Sequence, residues 1–143
     1  MKRFGVLVLA VACAFMIFGC ASQQKKPKAV KAETKGLQKI HFDYDKSNIK
    51  SEFEPVLKSN VGWMQDHKDT KVTIEGHCDE RGSVEYNIAL GDRRANSAKS
   101  YMKNLGIPAD KMNTISYGKE RQICTQHEES CWWQNRRAEF VAK

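Results

Sequence analysis

Along residues 37–143 the spacing of apolar side chains switches between a period of two and a period near 3.6, the signatures of strand and helix. LQKIHFDYD (37–45) places Ile40 and Phe42 on one face of an extended segment and stops in an Asp-rich turn. SEFEPVLKSNVGWMQDH (51–67) predicts a helix: Ser51 and Glu54 stand at capping-box spacing, Pro55 falls near the first turn, and Phe53, Val56, Leu57 and Met64 face the core. TKVTIEGH (70–77) predicts a second strand with Val72 and Ile74 inward. Gly82 and Ser83 open a long helix, VEYNIALGDRRANSAKSYMKNL, whose exit is marked by Gly106 and Pro108. NTISYG is a third strand, and RRAEFVA a fourth in which Ala138 and Phe140 alternate with Glu139 and Val141. The order strand, helix, strand, helix, strand, strand predicts an α+β fold: a two-layer sandwich with two main helices on one face of a four-stranded mixed sheet.

The N-terminus follows a different pattern. Lys2 and Arg3 precede an apolar run, Val6 to Phe18, that is too short for a comfortable membrane span, which predicts an export signal over residues 1–19. IFGC puts Cys20 directly after Gly19 and resembles the lipobox of bacterial lipoproteins, in which that cysteine becomes the acylated first residue. The alternative, Cys20 as the last residue of an uncleaved anchor, is disfavoured by the short apolar run. Several acyl chains hold a protein durably to a bilayer, and since Ala21 is not the Asp that favours inner-membrane retention in enteric-type lipoproteins, the resemblance implies the outer membrane, with the domain facing an oxidising periplasm.

Charge changes meaning once the chain is divided. The whole sequence carries +7, but residues 21–36 hold five Lys against one Glu, whereas residues 37–143 have 17 basic and 16 acidic side chains. Residues 20–36 therefore predict a lipidated Cys and a flexible Lys-rich tether. The nearly neutral domain over 37–143 excludes nucleic acid as a natural partner.

The chemistry concentrates in EGHCDERG (75–82), at the end of the second strand and the start of the long helix. Strand alternation sends His77 and Asp79 to one side and Cys78 to the other, so the cluster cannot converge on one point. Asn87, Leu90 and Arg94 recur on one face of the following helix, which sets Arg94 beside Asp79 at the mouth of the strand–helix crevice. A guanidinium fork suits a carboxylate, and an Asp accepts from an ammonium, so the pair suits a zwitterionic amino-acid end. An ordinary Asp–Arg ion pair fits the same spacing.

IHFDYDKSNI, IEGHCDERGSVEYNIALGDRRANSAKSYM, ISYGKE and NRRAEF, in order over residues 38–143, resemble the peptidoglycan-associated lipoprotein family, within the OmpA-like C-terminal domain family. The resemblance implies the OmpA-like βαβαββ fold and non-covalent binding of the peptidoglycan stem peptide through its diaminopimelate. In that family the Asp of the G-H-T-D segment pairs with the ligand ammonium and the second Arg of R-R-A with its carboxylate; these fall on Asp79 and Arg94. Phe42, Asp43, Arg81, Asn87 and Leu90 match surrounding positions of the site, and Cys78 stands where many relatives have Thr. The resemblance also implies a tether between outer membrane and cell wall within the Tol-Pal system, serving envelope integrity and division, with the periplasmic propeller protein TolB as a competing partner.

Cys13 would leave with the signal and Cys20 would be lipidated, so Cys78, Cys124 and Cys131 remain. CTQHEESC adds His127, and with Cys78 a Cys3His zinc set can be drawn. In an oxidising compartment the expectation is instead a Cys124–Cys131 disulfide, Cys78 as a small buried hydrophobe, and no metal or cofactor. A wall hydrolase would use Asp79 and Glu80, but adjacent carboxylates diverge, and His77 turns away from Cys78; the expectation is no enzyme. His41 and His67 read as strand and surface residues. Trp63, Trp132 and Trp133 read as packing or partner surface rather than sugar platforms, and Tyr86 and Tyr101 as packing partly against the sheet.

Overall fold

A computed structural model describes residues 36–143. The export signal, Cys20 and all of the tether but Gly36 lie outside the described residues. The elements are β1 (Ile40–His41), α1 (Glu54–Asp66), β2 (Val72–His77), α2 (Val84–Asn104), β3 (Met112–Gly118), α3 (Glu129–Asn135) and β4 (Arg137–Ala142). The strands form one mixed sheet in the order β1-β4-β2-β3. β2 and β3 are parallel and joined through α2, while β4 runs antiparallel to both β1 and β2. This is the α+β architecture expected from the apolar periodicity.

The inward residues named from the pattern meet in one core. Ile40, Phe42, Val56, Leu57, Met64, Val72, Ile74, Ala138 and Phe140 are buried together, joined by Val61, Ala95, Ala98, Met102, Ile107 and Met112. Phe53 and Tyr101 pack against this cluster while partly exposed. Asn60, fully buried on α1, pairs with the backbone of Gln38 through both its amide groups at 2.8 Å, which fixes the chain leading into β1. A buried amide satisfied at both ends carries no desolvation deficit.

Local details depart from expectation in three places. Ser51–Phe53 forms a 3-10 turn and α1 begins only at Glu54, with Phe53 at its N-cap and no side-chain cap; the Ser51/Glu54 capping box is therefore absent. Pro55 occupies the first helical turn, where its missing N–H costs nothing. β1 pairs over two residues rather than the longer apolar stretch, a short edge that offers little to a foreign strand. The segment after His127 contains α3, a helix that the sequence pattern does not announce. It is fastened tertiarily: Cys131 is disulfide-bonded to Cys124, and the Asn135 side chain accepts from the Ile123 and Cys124 N–H groups and donates to the Cys124 carbonyl.

The seat of α2 is set by glycine. A β-carbon on Gly76 of β2 would lie 1.8 Å from the Gly91 carbonyl oxygen, so helix and strand backbones touch there. Ser83 caps the helix, its hydroxyl accepting from the Tyr86 N–H at 3.1 Å. Together these place the first turns of α2 against the C-terminal end of β2, the position where parallel strand–helix units hold ligands.

Candidate functional site

At that junction a cavity of about 140 Å³ opens, walled by Tyr44, Asp45, Cys78, Asp79, Arg81, Gly82, Tyr86, Asn87, Leu90 and Arg94. Five residues named from the sequence, Asp79, Arg81, Asn87, Leu90 and Arg94, thus line one space. Phe42 and Asp43 do not. Phe42 is buried in the core with its ring 5.2 Å from the Arg94 guanidinium, and the Asp43 carboxylate points outward to Lys50 at 2.9 Å. Only the Asp43 carbonyl serves the site, accepting from Arg94 at 3.1 Å.

Arg94 is fully buried, and its guanidinium donates to three backbone carbonyls, Lys46 and His77 at 2.8 Å and Asp43 at 3.1 Å. It makes no ion pair with Asp79 or with any other carboxylate among the described residues. Asp79 is paired instead with Arg81, whose fork reaches it at 2.6 and 3.2 Å, and with Arg136 at 3.2 Å. The simple Asp79–Arg94 pair allowed by sequence spacing is thus replaced by a carboxylate held from one side and a cation held by carbonyl dipoles on the other. Burial opposes ionisation of Asp79, but its bonds to the Arg81 side chain and backbone and to Arg136 outweigh it, and its pKa lies below the usual carboxylate value. Burial likewise pulls the Arg94 pKa below its ordinary value.

Strand alternation also fails at the last step. β2 ends at His77, so Cys78 and Asp79 both reach the cavity rather than diverging. The Cys78 thiol donates to the Asn87 carbonyl at 3.4 Å, and burial pushes its pKa up to about 11, which makes it an inert wall residue. Glu80 turns away from the cavity side of Asp79 and accepts from the Trp132 indole at 2.7 Å, with His127 at 2.6 Å. Lys119 clasps the turn by donating to the Glu80 and Gly82 carbonyls at 3.2 and 2.6 Å.

The residues missed from sequence come from the chain before α1 and from α3. Tyr44 and Trp132 sandwich the Arg81 guanidinium, their ring centres 4.0 and 4.1 Å away. Such stacking holds a cation in place beyond its ion pair. Arg136 ties α3 to the site through Glu129, Asp79 and the Phe42 carbonyl. Tyr86 is exposed at the rim and bonds to Asp45, correcting the expectation that it packs on the sheet. Asp45 itself has φ 55°, a left-handed conformation that Asp tolerates in turns. FDYD and NRRAEF carried a sequence signal for Tyr44 and Arg136; nothing local pointed to Trp132.

The disulfide places Cys124 and Cys131 with Cα atoms 5.2 Å apart, while Cys78 lies under α2 and His127 meets Glu80, so the four residues of the Cys3His set do not assemble. Reduction should lower the free energy of unfolding by about 2.5 kcal/mol, the chain-entropy value for so short a loop. Urea titrations with and without reductant measure it, and identical midpoints would show that Asn135 alone holds the loop.

Comparison with known proteins places the fold in a family. The OmpA family model matches residues 41–136. The peptidoglycan-associated lipoprotein of Agrobacterium fabrum is 36% identical over 94% of this chain and 85% of its own, and that of Pasteurella multocida is 34% identical over 96% and 97%. The crystal structure of the peptidoglycan-associated lipoprotein from Burkholderia pseudomallei superposes with a TM-score of 0.72 at 33% identity, covering 74% of this chain and 90% of that one. The cell wall anchor of the T6SS from Pseudomonas aeruginosa, 21% identical with a TM-score of 0.62 over 71% of this chain and 76% of that one, shares the fold. The chain belongs to the OmpA family and, within it, to the peptidoglycan-associated lipoproteins.

Proposed function

We propose that the cavity between β2 and α2 binds the zwitterionic end of diaminopimelate in the peptidoglycan stem peptide. The observation that carries this is Arg94: a fully buried guanidinium on the cavity wall, opposite Asp79, with no carboxylate partner among the described residues. A buried cation whose charge is met only by carbonyl dipoles gains most from an incoming anion. Three of its bonds go to carbonyls, and a guanidinium has five N–H groups, so donors remain for a ligand carboxylate.

Asp79 supplies the opposite charge. Four bonds from Arg81 and Arg136 already occupy its oxygens, so an ammonium gains access by replacing bonds from the partly exposed Arg81, while the stacking of its guanidinium on Tyr44 and Trp132 keeps that side chain at the site. Leu90 and the Cys78 thiol give the intervening wall an apolar surface for the methylenes of the ligand. The chemistry is binding; with Asp79 locked in arginine pairs and Glu80 engaged by Trp132 and His127, the two carboxylates do not converge as an acid–base couple.

Acylated Cys20 in the outer membrane, a Lys-rich tether and a wall-binding domain would together make a two-ended link, each end raising the effective concentration of the other's target. Competition with TolB, as the family resemblance implies, belongs to the same proposal. Co-sedimentation of the purified protein with sacculi tests the central claim. A soluble stem peptide containing meso-diaminopimelate should release it, whereas the lysine analogue, which has the amine but lacks the second carboxylate, should not. Equal release by both would overturn the role assigned to Arg94.

A further inference from the structure

On the opposite face of the sheet the strand register brings together three residues from β2 and β4. Glu75 and Glu139 are direct cross-strand partners, and like charges at such positions repel. His77, two residues along β2, points its Nε2 between them, 3.6 Å from a Glu75 oxygen and 3.7 Å from a Glu139 oxygen. These are too long for hydrogen bonds. The ring is only 1% exposed, and neither nitrogen has a hydrogen-bond partner. A buried imidazole with neither nitrogen hydrogen-bonded is a polar group left unsatisfied beside two facing carboxylates.

We infer that Glu75, His77 and Glu139 form a binding site for a divalent transition-metal ion of the zinc class, joining β2 to β4. One ligand atom from each residue falls within 4.8 Å of the others. Zinc bonds of about 2.0–2.1 Å to nitrogen and oxygen set neighbouring ligands about 3.3 Å apart in a tetrahedron, close to the two observed separations. Imidazole with carboxylates suits zinc rather than calcium or magnesium, which take oxygen alone. As a ligand, His77 would act through the Nε2 lone pair of the neutral imidazole, the nitrogen that faces the two carboxylates. Arg137 donates to Glu139 at 3.1 Å and Lys39 lies 3.9 Å from it, so that carboxylate is shared with two cations, whereas Glu75 pairs with no Lys or Arg among the described residues. The site lies across the sheet from the peptidoglycan cavity, and only sheet register reveals it: Glu139 is far from the other two in sequence.

Titration of the chelator-stripped full chain with zinc chloride tests the assignment, with cobalt(II) as a spectroscopic probe. One equivalent of zinc should bind and raise the thermal midpoint. Glu139→Gln should weaken binding by more than about tenfold, and Glu75→Gln with Glu139→Gln should abolish it. The cobalt form should show four-coordinate visible bands without thiolate charge transfer, separating this site from Cys78 and Cys20. Circular dichroism checks that the double variant is folded; where it is not, the Glu139→Gln single variant decides, since its side chain is 32% exposed. Absence of saturable zinc binding by the unaltered chain, undiminished affinity in the deciding variant, or a thiolate cobalt spectrum would each overturn the site.

Discussion

Asp79→Ala should abolish co-sedimentation with sacculi, weakening binding by more than about a hundredfold, about 3 kcal/mol, while the domain stays folded. Truncating one partner of a buried charge pair costs about 2–5 kcal/mol, because the other charge is left without compensation. Here the partner lost is the one proposed to receive the ligand ammonium. The fold should survive because the two arginines that Asp79 holds have other anchors. Arg136 still donates to the Phe42 carbonyl at 3.0 Å and to Glu129, and Arg81 remains between the Tyr44 and Trp132 rings. Asp79→Asn keeps the shape and removes the charge, so it should lose binding nearly as completely; retained binding by Asn would mean that hydrogen bonding rather than charge recognises the ligand. Undiminished binding by the Ala variant, with a native circular dichroism spectrum, would remove the proposed site.

Gly76→Ala should destabilise the domain by about 3 kcal/mol or more, a large share of the roughly 5–15 kcal/mol that holds a domain of this kind together. The added carbon would lie 1.8 Å from the Gly91 oxygen and 2.6 Å from its carbonyl carbon. Both obstacles are backbone, so no rotamer change relieves them, and α2 must lift from β2. Lifting would open the packing of Ala95 and Ala98 and carry Asn87, Leu90 and Arg94 out of register with Asp79, so binding should fall together with stability. Gly62, in the middle of α1, is the control: a β-carbon added there would meet nothing within 4 Å, and Ala should stabilise by about 0.5–1 kcal/mol. A shift of the urea midpoint measures both. Similar midpoints for the two variants would show that the helix–strand contact gives way more easily than its geometry states.

Local pattern was sufficient for most of the fold. The inward faces of β2 and β4, the stripe Asn87, Leu90 and Arg94 and the stop at Gly106 are all consequences of periodicity or steric preference, which act over a few residues. The same local logic failed where a strand ended. Alternation separated Cys78 from Asp79, yet the chain leaves β2 at His77 and delivers both to one cavity. The capping box at Ser51 failed similarly, because a 3-10 turn took up the residues that would have formed it.

The alternating elements, the identity of the charged groups and the face of α2 that carries them were legible in the amino-acid order, since each depends on neighbours within a turn or two. Which charges meet was not. The folded arrangement gave Asp79 to Arg81 and Arg136, left Arg94 to three carbonyls, set Trp132 over Arg81 and brought Glu139 to His77. Those choices depend on strand register and on the Gly76–Gly91 contact, where residues far apart in the chain are fixed within a few ångströms, and no local propensity encodes that distance.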